Sequence, residues 1–303
     1  MEEKIEELVL TIDHNGNVNV RVITNKNSEY ETTSKEIISR SNSIVPLYIP
    51  SVFRLTHLRS IVIDASGHNI ISGTMYEVQL DMFKNLHNLE SVHIEACNIE
   101  CSTVLPVFPQ SLMELSISRC RSNSMSIYDI LASLPTTIAE ISIHEFSGRT
   151  ADPVTLSFEY LEELYIGGTN ISSTTLLDII KSAAQLHSIS LENMQLNDGA
   201  EILSEICKHT ELTELMIDNI DLNSSIPDSL YDLTDLQHLT LISCNIVGSI
   251  DERLGNLRNL VSINIWGNPG LTIDIDRSMF DLHPNLGSVA IHVSEHEIVS
   301  MEY

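Results

Sequence analysis

The chain has 303 residues, 43% of them hydrophobic, and 42 Asp and Glu against 16 Lys and Arg give it a formal charge of −26. That content is ample for a buried core, and no apolar run approaches the ~20 residues that a membrane-spanning helix needs. A field of this sign repels phosphate backbones and anionic lipid surfaces and favours basic protein surfaces, so nucleic acid and membrane are not expected partners. It also serves the solubility of a long molecule that exposes much surface.

The start, Met1-Glu2-Glu3-Lys4-Ile5-Glu6-Glu7, lacks the basic and then apolar regions of a signal peptide. Residence inside the cell, in the cytoplasm, is therefore expected; a leader removed before residue 1 would make the protein a secreted one. Only then would the sequons Asn170-Ile171-Ser172 and Asn223-Ser224-Ser225 matter. Residues 7–24 read as a β-hairpin, with Leu8, Leu10 and Ile12 alternating on one strand, Val18, Val20 and Val22 on the next, and Asn15-Gly16 between them. Thr33 to Ser41 reads as a short helix with Ile37 and Ile38 inward. The stretch Asp13 to Asn19 resembles a calcium loop in its letters, but its glycine stands fourth rather than sixth and no Glu stands at the twelfth place.

From Leu58 onward one pattern recurs. Its clearest copy is Leu236-x-x-Leu239-x-Leu241-x-x-Cys244-x-Ile246, and the leading residue returns at Leu58, Leu89, Leu112, Ile138, Leu161, Leu186, Leu212, Leu236, Leu260 and Leu286. This resembles the leucine-rich repeat L-x-x-L-x-L-x-x-N/C-x-L, whose period is about 20–29 residues. The resemblance implies an α/β fold, a curved leucine-rich repeat solenoid of about ten repeats with a parallel sheet on its concave face. Each L-x-x-L-x-L segment becomes a short strand with pairs such as Ile61/Ile63, Val92/Ile94, Leu115/Ile117, Leu164/Ile166 and Leu239/Leu241 inward. The expected organisation is an N-terminal cap over residues 1–50, repeats over 51–292, and a cap or tail over 293–303.

The returns between strands differ along the chain. Leu176, Leu177, Ile179 and Ile180 suggest a helix, as do Ile202, Leu203 and Ile206, whereas the returns from 222 to 257 are shorter and more extended. Ser225-Ile226-Pro227-x-x-Leu230-x-x-Leu233-x-x-Leu236 and Gly248-Ser249-Ile250-x-x-x-Leu254-Gly255-x-Leu257-x-x-Leu260 resemble plant-type repeats, which read G-x-I-P-x-x-L-x-x-L-x-x-L. That resemblance covers residues 222–271. It departs from the pattern at Asp251, which stands where Pro227 has its place, and in the consensus Asn, which survives only at Asn268. Cys97, Cys120 and Cys244 fall at that N/C position and are expected to be buried free thiols acting as small hydrophobes, with the turns held mainly by apolar packing. Reduced thiols suit the cytosol.

No cofactor or metal is expected. His93 should face out and Cys97 in, so they cannot converge on one ion; His292-x-x-Glu295-His296 matches the letters of a zinc motif that requires a helix where a strand is expected. No Gly-rich phosphate loop or nucleophile elbow is present in the sequence, and the chain is read as non-catalytic. The outward strand positions are the candidate partner-binding site. They contain an acidic zone (Glu114, Glu140, Glu163, Glu192, Glu214 and Asp218), an apolar zone (Ile242 and Trp266), and Tyr165 and Met216 between them. Glu114, Glu140 and Glu163 hold equivalent positions on successive strands, and like charges side by side cost a few tenths to ~1 kcal/mol per pair. A basic patch on a protein partner would relieve that cost, and so would water and salt on an open surface. Ile242 and Trp266 either anchor a partner or lie under a C-terminal element from His292 to Tyr303. The leading expectation is a protein-interaction module, a monomer or weak oligomer in solution. The alternative is a structural or assembly subunit, or the targeting domain of a larger complex, for which an ordered oligomer would speak.

Overall fold

A computed structural model describes residues 5–13, 17–24, 29–35, 44–46, 57–67, 75–274, 286–294 and 297–302. Two compact units divide the chain, Met1–Val154 and Thr155–Tyr303.

The first unit opens with the expected hairpin, β1 (Ile5–Ile12) antiparallel to β2 (Asn17–Thr24), with Leu8, Leu10 and Ile12 buried. Its Asn15-Gly16 turn lies outside the described residues, as does part of the Asp13 to Asn19 stretch. The strand β3 (Glu29–Lys35) then pairs antiparallel with β2, so Thr33 to Lys35 are strand rather than the start of a helix. The open edge of β2 supplies a hydrogen-bonding partner for every backbone group facing it, and that tertiary offer outweighs local propensity. Residues 36–41 of the expected helix lie outside the described residues.

On its other edge β1 runs parallel to β5 (Ser60–Asp64), so the hairpin is built into the sheet of repeats. The strands β7 (Ser91–Glu95), β9 (Glu114–Ser118) and β10 (Glu140–His144) continue it in parallel and in register. A second parallel sheet lies in the returns, made of β4 (Ile44–Pro46), β6 (Met75–Gln79) and β8 (Cys97–Glu100). A short helix, Ile127–Leu131, follows in a later return; Ser126 caps it by accepting from Asp129 N at 3.2 Å while the Asp129 carboxylate accepts from Ser126 N at 2.7 Å.

The second unit repeats the scheme with β11 (Glu163–Gly167), β12 (Ser188–Glu192), β13 (Glu214–Asp218), β14 (His238–Ile242), β16 (Ser262–Ile265) and β18 (Ser288–Ser294), all parallel. An antiparallel strand, β19 (Glu297–Glu302), closes it. The expected helices are present as Ser173–Ser182 and Gly199–Ile206, with Leu176, Leu177, Ile179, Ile180, Ile202, Leu203 and Ile206 buried. Gly199 is required where its helix begins, since a Cβ there would stand 2.7 Å from Leu222 Cα. The plant-type stretch has instead the 3-10 turns Asp228–Asp232 and Glu252–Asn256 and a small parallel pair, β15 (Val247–Ile250) with β17 (Gly270–Ile273). Asp251 replaces the consensus proline by capping its turn through the side chain, which accepts from Arg253 N at 3.0 Å.

Burial follows the repeat in both units. The leading residues and the inward pairs Ile61/Ile63, Val92/Ile94, Leu115/Ile117, Leu164/Ile166 and Leu239/Leu241 are buried. Registered strands stack them into spines, Ile63–Ile94–Ile117–Ile143 in the first unit and Ile166–Leu191–Ile217–Leu241 in the second. Each such side chain contributes about 1.5–3 kcal/mol of hydrophobic stabilisation. The fold class is the leucine-rich repeat solenoid, with one strand per repeat and returns of mixed helix, 3-10 turn and strand.

Candidate binding face

With alternate residues committed to the spine, the others are forced outward. In the first unit the registered outward rows are Ser60, Ser91, Glu114, Glu140; Val62, His93, Ser116, Ser142; and Asp64, Glu95, Ser118, His144. Glu114 and Glu140 are therefore cross-strand neighbours, as the repeat implies. Cations stand close to the acids at the edges of this face. Arg119 ion-pairs with Glu95, His93 Nε2 lies 3.7 Å from the same carboxylate, and Arg59 grips Glu90 through two bonds of 2.7 and 3.0 Å.

In the second unit the rows are Glu163, Ser188, Glu214, His238, Ser262; Tyr165, Ser190, Met216, Thr240, Asn264; and Gly167, Glu192, Asp218, Ile242. Glu163 and Glu214 are exposed at one margin of the face, and Glu192 and Asp218 are half-buried at the other. Tyr165 and Met216 lie on the row between them. Trp266 follows β16, its carbonyl accepts from Ser243 N at 2.8 Å, and its side chain is 50% exposed beside the strand end that carries Ile242. None of the described outward positions of β11 to β16 is Lys or Arg. Two oxygen atoms on the middle row, Ser190 Oγ and Asn264 Oδ1, are enclosed and have no hydrogen-bond partner among the protein atoms. Sequence reasoning placed both residues on this row without marking them, since enclosure depends on the size of their neighbours two dozen residues away. It also missed the link from His238 Nδ1 to Ser262 Oγ at 2.8 Å.

The strand ends are fixed by a column of left-handed residues, Ala96, Arg119 and Glu145 in the first unit and Gly168, Asn193, Asn219, Ser243 and Gly267 in the second, with φ between 49 and 76°. At Gly267 a Cβ would stand 2.6 Å from Ser243 Oγ. Behind the column sits the N/C position, where the expected buried free thiols also hydrogen-bond. Cys97 N donates to Cys120 Sγ at 3.4 Å, and Cys120 Sγ donates to the carbonyl of Ser118 at 3.2 Å. Cys244 Sγ donates to the carbonyls of Ile242 at 3.0 Å and Ile217 at 3.2 Å. Asn268 makes the fuller version: its Oδ1 accepts from Cys244 N and Ile246 N at 3.0 and 3.1 Å, and its Nδ2 donates to Leu241 O at 2.7 Å. Burial raises all three thiols, Cys97 well above its ordinary value and Cys120 and Cys244 to about 12, so they are protonated donors rather than nucleophiles.

Among the described residues no group of three or more His, Cys, Asp or Glu is placed to hold a metal ion, and no described helix is long and apolar enough to cross a membrane. The side chains of His292 and His296 and residue Tyr303 lie outside the described structure. The acidic, central and apolar candidates of the second unit, Glu163, Tyr165, Glu192, Glu214, Met216, Asp218, Ile242 and Trp266, occur together on one face, while Glu114 and Glu140 belong to the face of the first unit.

No family model matches the chain, and no curated protein does. Solved structures similar to it include the leucine-rich repeat ectodomain of the plant membrane receptor kinase GASSHO1/SCHENGEN3 from Arabidopsis thaliana, in complex with Casparian strip integrity factor 2. That match has 16% identity over 83% of this chain and 41% of the other, with a TM-score of 0.46. The plant peptide hormone receptor RGFR1 in complex with RGF2 matches at 18% identity over 83% and 46%, TM-score 0.47. A leucine-rich repeat protein of Leptospira interrogans matches at 15% identity over 82% and 70%, TM-score 0.47. The chain spans less than half the length of the two plant receptor chains. The leucine-rich repeat fold itself stands on the chain's own register, burial and strand-end geometry.

Proposed function

We propose that the chain is a non-catalytic protein-interaction module that binds a protein partner through the outward face of its repeat sheet, the side expected to be concave. Glu114, Glu140, Glu163, Tyr165, Glu192, Glu214, Met216, Asp218, Ile242 and Trp266 are its partner-binding residues. One observation carries the reading: the outward positions of β11 to β16 combine four carboxylates with Tyr165, Met216, Ile242 and a half-exposed Trp266, and hold no Lys or Arg. Trp and Tyr supply much contact area at low entropic cost and are enriched where binding energy concentrates. Surrounding carboxylates steer a basic partner and reject acidic ones. The same field disfavours nucleic acid and anionic membrane.

Affinity capture with the full chain, followed by mass spectrometry, identifies the partner, and paired variants locate its seat. Met216→Asp and Trp266→Asp should each abolish capture while leaving the thermal midpoint within a few degrees of wild type. Asp251→Lys, in a return, should leave capture intact. Loss of capture with Asp251→Lys, together with retention in both face variants, would place recognition elsewhere.

A further inference from the structure

One outward row of the second unit runs across consecutive strands as Gly167, Glu192, Asp218, Ile242 and then Trp266. It begins without a side chain, passes two carboxylates, and ends on two apolar groups. Behind the carboxylates the amide of Asn219 donates to Asn193 Oδ1 at 2.9 Å, and Asn193 Nδ2 stands 3.5 Å from Glu192 Oε2, so the margin is held in place by its own ladder. Neighbouring strands are ~4.8 Å apart, which puts Trp266 roughly 14 Å along the row from Glu192. An extended peptide advances ~3.3 Å per residue and turns every second side chain to the same side, so its positions i, i+2 and i+4 also span roughly 13 Å on one face. The two spans match, and flexible basic side chains absorb the difference between the ~4.8 Å step of the row and the ~6.6 Å step of the segment.

We propose that this row receives an extended segment of the partner with the pattern basic-x-basic-x-apolar, in either chain direction. The two basic side chains lie over Glu192 and Asp218, and the apolar one lies on Ile242 and Trp266. This rests on the reading of the face given above and names its ligand chemistry. Charge complementarity selects the occupant: the row offers carboxylates where the segment carries Lys or Arg. In the first unit the equivalent row, Asp64, Glu95, Ser118 and His144, has Arg119 on Glu95 and no apolar end, so the same segment finds no seat there.

Trp266 is the chain's only tryptophan, so its emission reports occupancy of the row's apolar end directly. The probes are tryptophan-free synthetic peptides containing Lys-Gly-Lys-Gly-Phe, its reverse, and a shuffled control with Lys-Lys-Phe contiguous, each titrated into the full chain at low salt. A saturable blue shift is expected with one of the first two, and about tenfold weaker binding with the control. Glu192→Gln and Asp218→Asn should each weaken the matched peptide by about three- to tenfold and flatten its salt dependence. Glu252→Gln, exposed in a return away from the face, should leave it unchanged. Equal binding of matched and shuffled peptides, indifference to both substitutions, or no saturable shift overturns the proposal. Should that happen while Met216→Asp still abolishes capture of the natural partner, the spacing is wrong and the face reading survives. If Met216→Asp and Trp266→Asp also leave capture intact, the face reading fails with it.

Discussion

The two units share one scaffold and differ in how they treat their charges. In the first, acids at the margins of the sheet are answered within the chain: Arg119 holds Glu95, Arg59 holds Glu90, and His93 stands 3.7 Å from Glu95. Its returns use carboxylates as bolts. Asp81 accepts from Ser102 N at 2.9 Å and from Cys101 Sγ at 2.9 Å, and Glu100 accepts from Asn123 N at 2.9 Å and Asn98 Nδ2 at 3.1 Å. In the second unit the cations are drawn to the returns instead. Arg253 binds Asp228 and Asp251 and lies 4.5 Å from the centre of the Tyr231 ring, and Lys181 and Lys208 pair with Glu201 and Glu205. The outward positions of β11 to β16 are acidic and partly apolar, with no Lys or Arg among them. A repeat specifies its inward residues and leaves its outward ones open, so two stretches of equal architecture can carry surfaces of different use.

That equality is the first thing to break. Ile117→Asp in the first unit and Leu239→Asp in the second place an unpaired charge in equivalent spines, and each should cost on the order of 5 kcal/mol or prevent folding. Glu163→Ala, one residue from the spine, should change stability by less than about 0.5 kcal/mol. Urea midpoints decide it: equal losses for inward and outward substitutions would refute the strand register.

A smaller effect separates the two kinds of rung at the strand ends. Asn268→Ala removes two acceptor and two donor bonds from buried backbone, for about 3 kcal/mol, whereas Cys120→Ala removes weaker thiol bonds for about 1–2 kcal/mol. A larger loss at Cys120 than at Asn268, again by urea midpoint, would show that the thiol is the stronger partner.

Acid should distinguish the units by pH window. In the second, burial holds His209 below its ordinary value of 6.5, so the unfolded chain takes up the proton first and stability declines as pH falls below 6.5. In the first, burial pushes Asp81 and Glu100 up, but hydrogen bonds outweigh it and hold them below their ordinary values of 3.8 and 4.5. Their contribution is complete above pH 4.5 and is lost as the pH falls through their lowered folded values. Hydrogen exchange should therefore loosen the return before Leu212 first and residues 97–124 only in stronger acid; the reverse order would contradict both assignments. A small effect is expected at Arg119. Arg119→Gln should alter stability by no more than about 1 kcal/mol, yet make the first unit's face more attractive to basic peptides at low salt, a change read by titration.

Much of this was legible in the sequence because a repeat states its own register. Leu236, Leu239 and Leu241 say which side is in, and ten copies leave little freedom for an error of one residue, which would turn every side chain over. The hairpin around β1 was equally clear, as were the helices at Ser173–Ser182 and Gly199–Ile206, whose apolar residues fall at helical spacing. The helix start expected at Thr33 is replaced by strand, because the edge of β2 is a tertiary fact that local pattern does not state; Ile37 and Ile38 lie outside the described residues. Cysteine at the N/C position was ambiguous by chemistry, being both a small hydrophobe and a weak donor, and only the carbonyls of Ser118, Ile217 and Ile242 decide between them. The candidate rows could be listed from alternation alone. Which acids were already paired could not, since Arg119 reaches Glu95 across a repeat boundary from a strand-end residue that follows no consensus.

The most direct test uses the single tryptophan with the natural partner in place. Acrylamide quenching of Trp266 should be efficient in the free protein, as befits a half-exposed indole, and should fall sharply with a blue-shifted emission when the captured partner is bound. Unchanged quenching and emission in the saturated complex would contradict binding through the apolar end of this face.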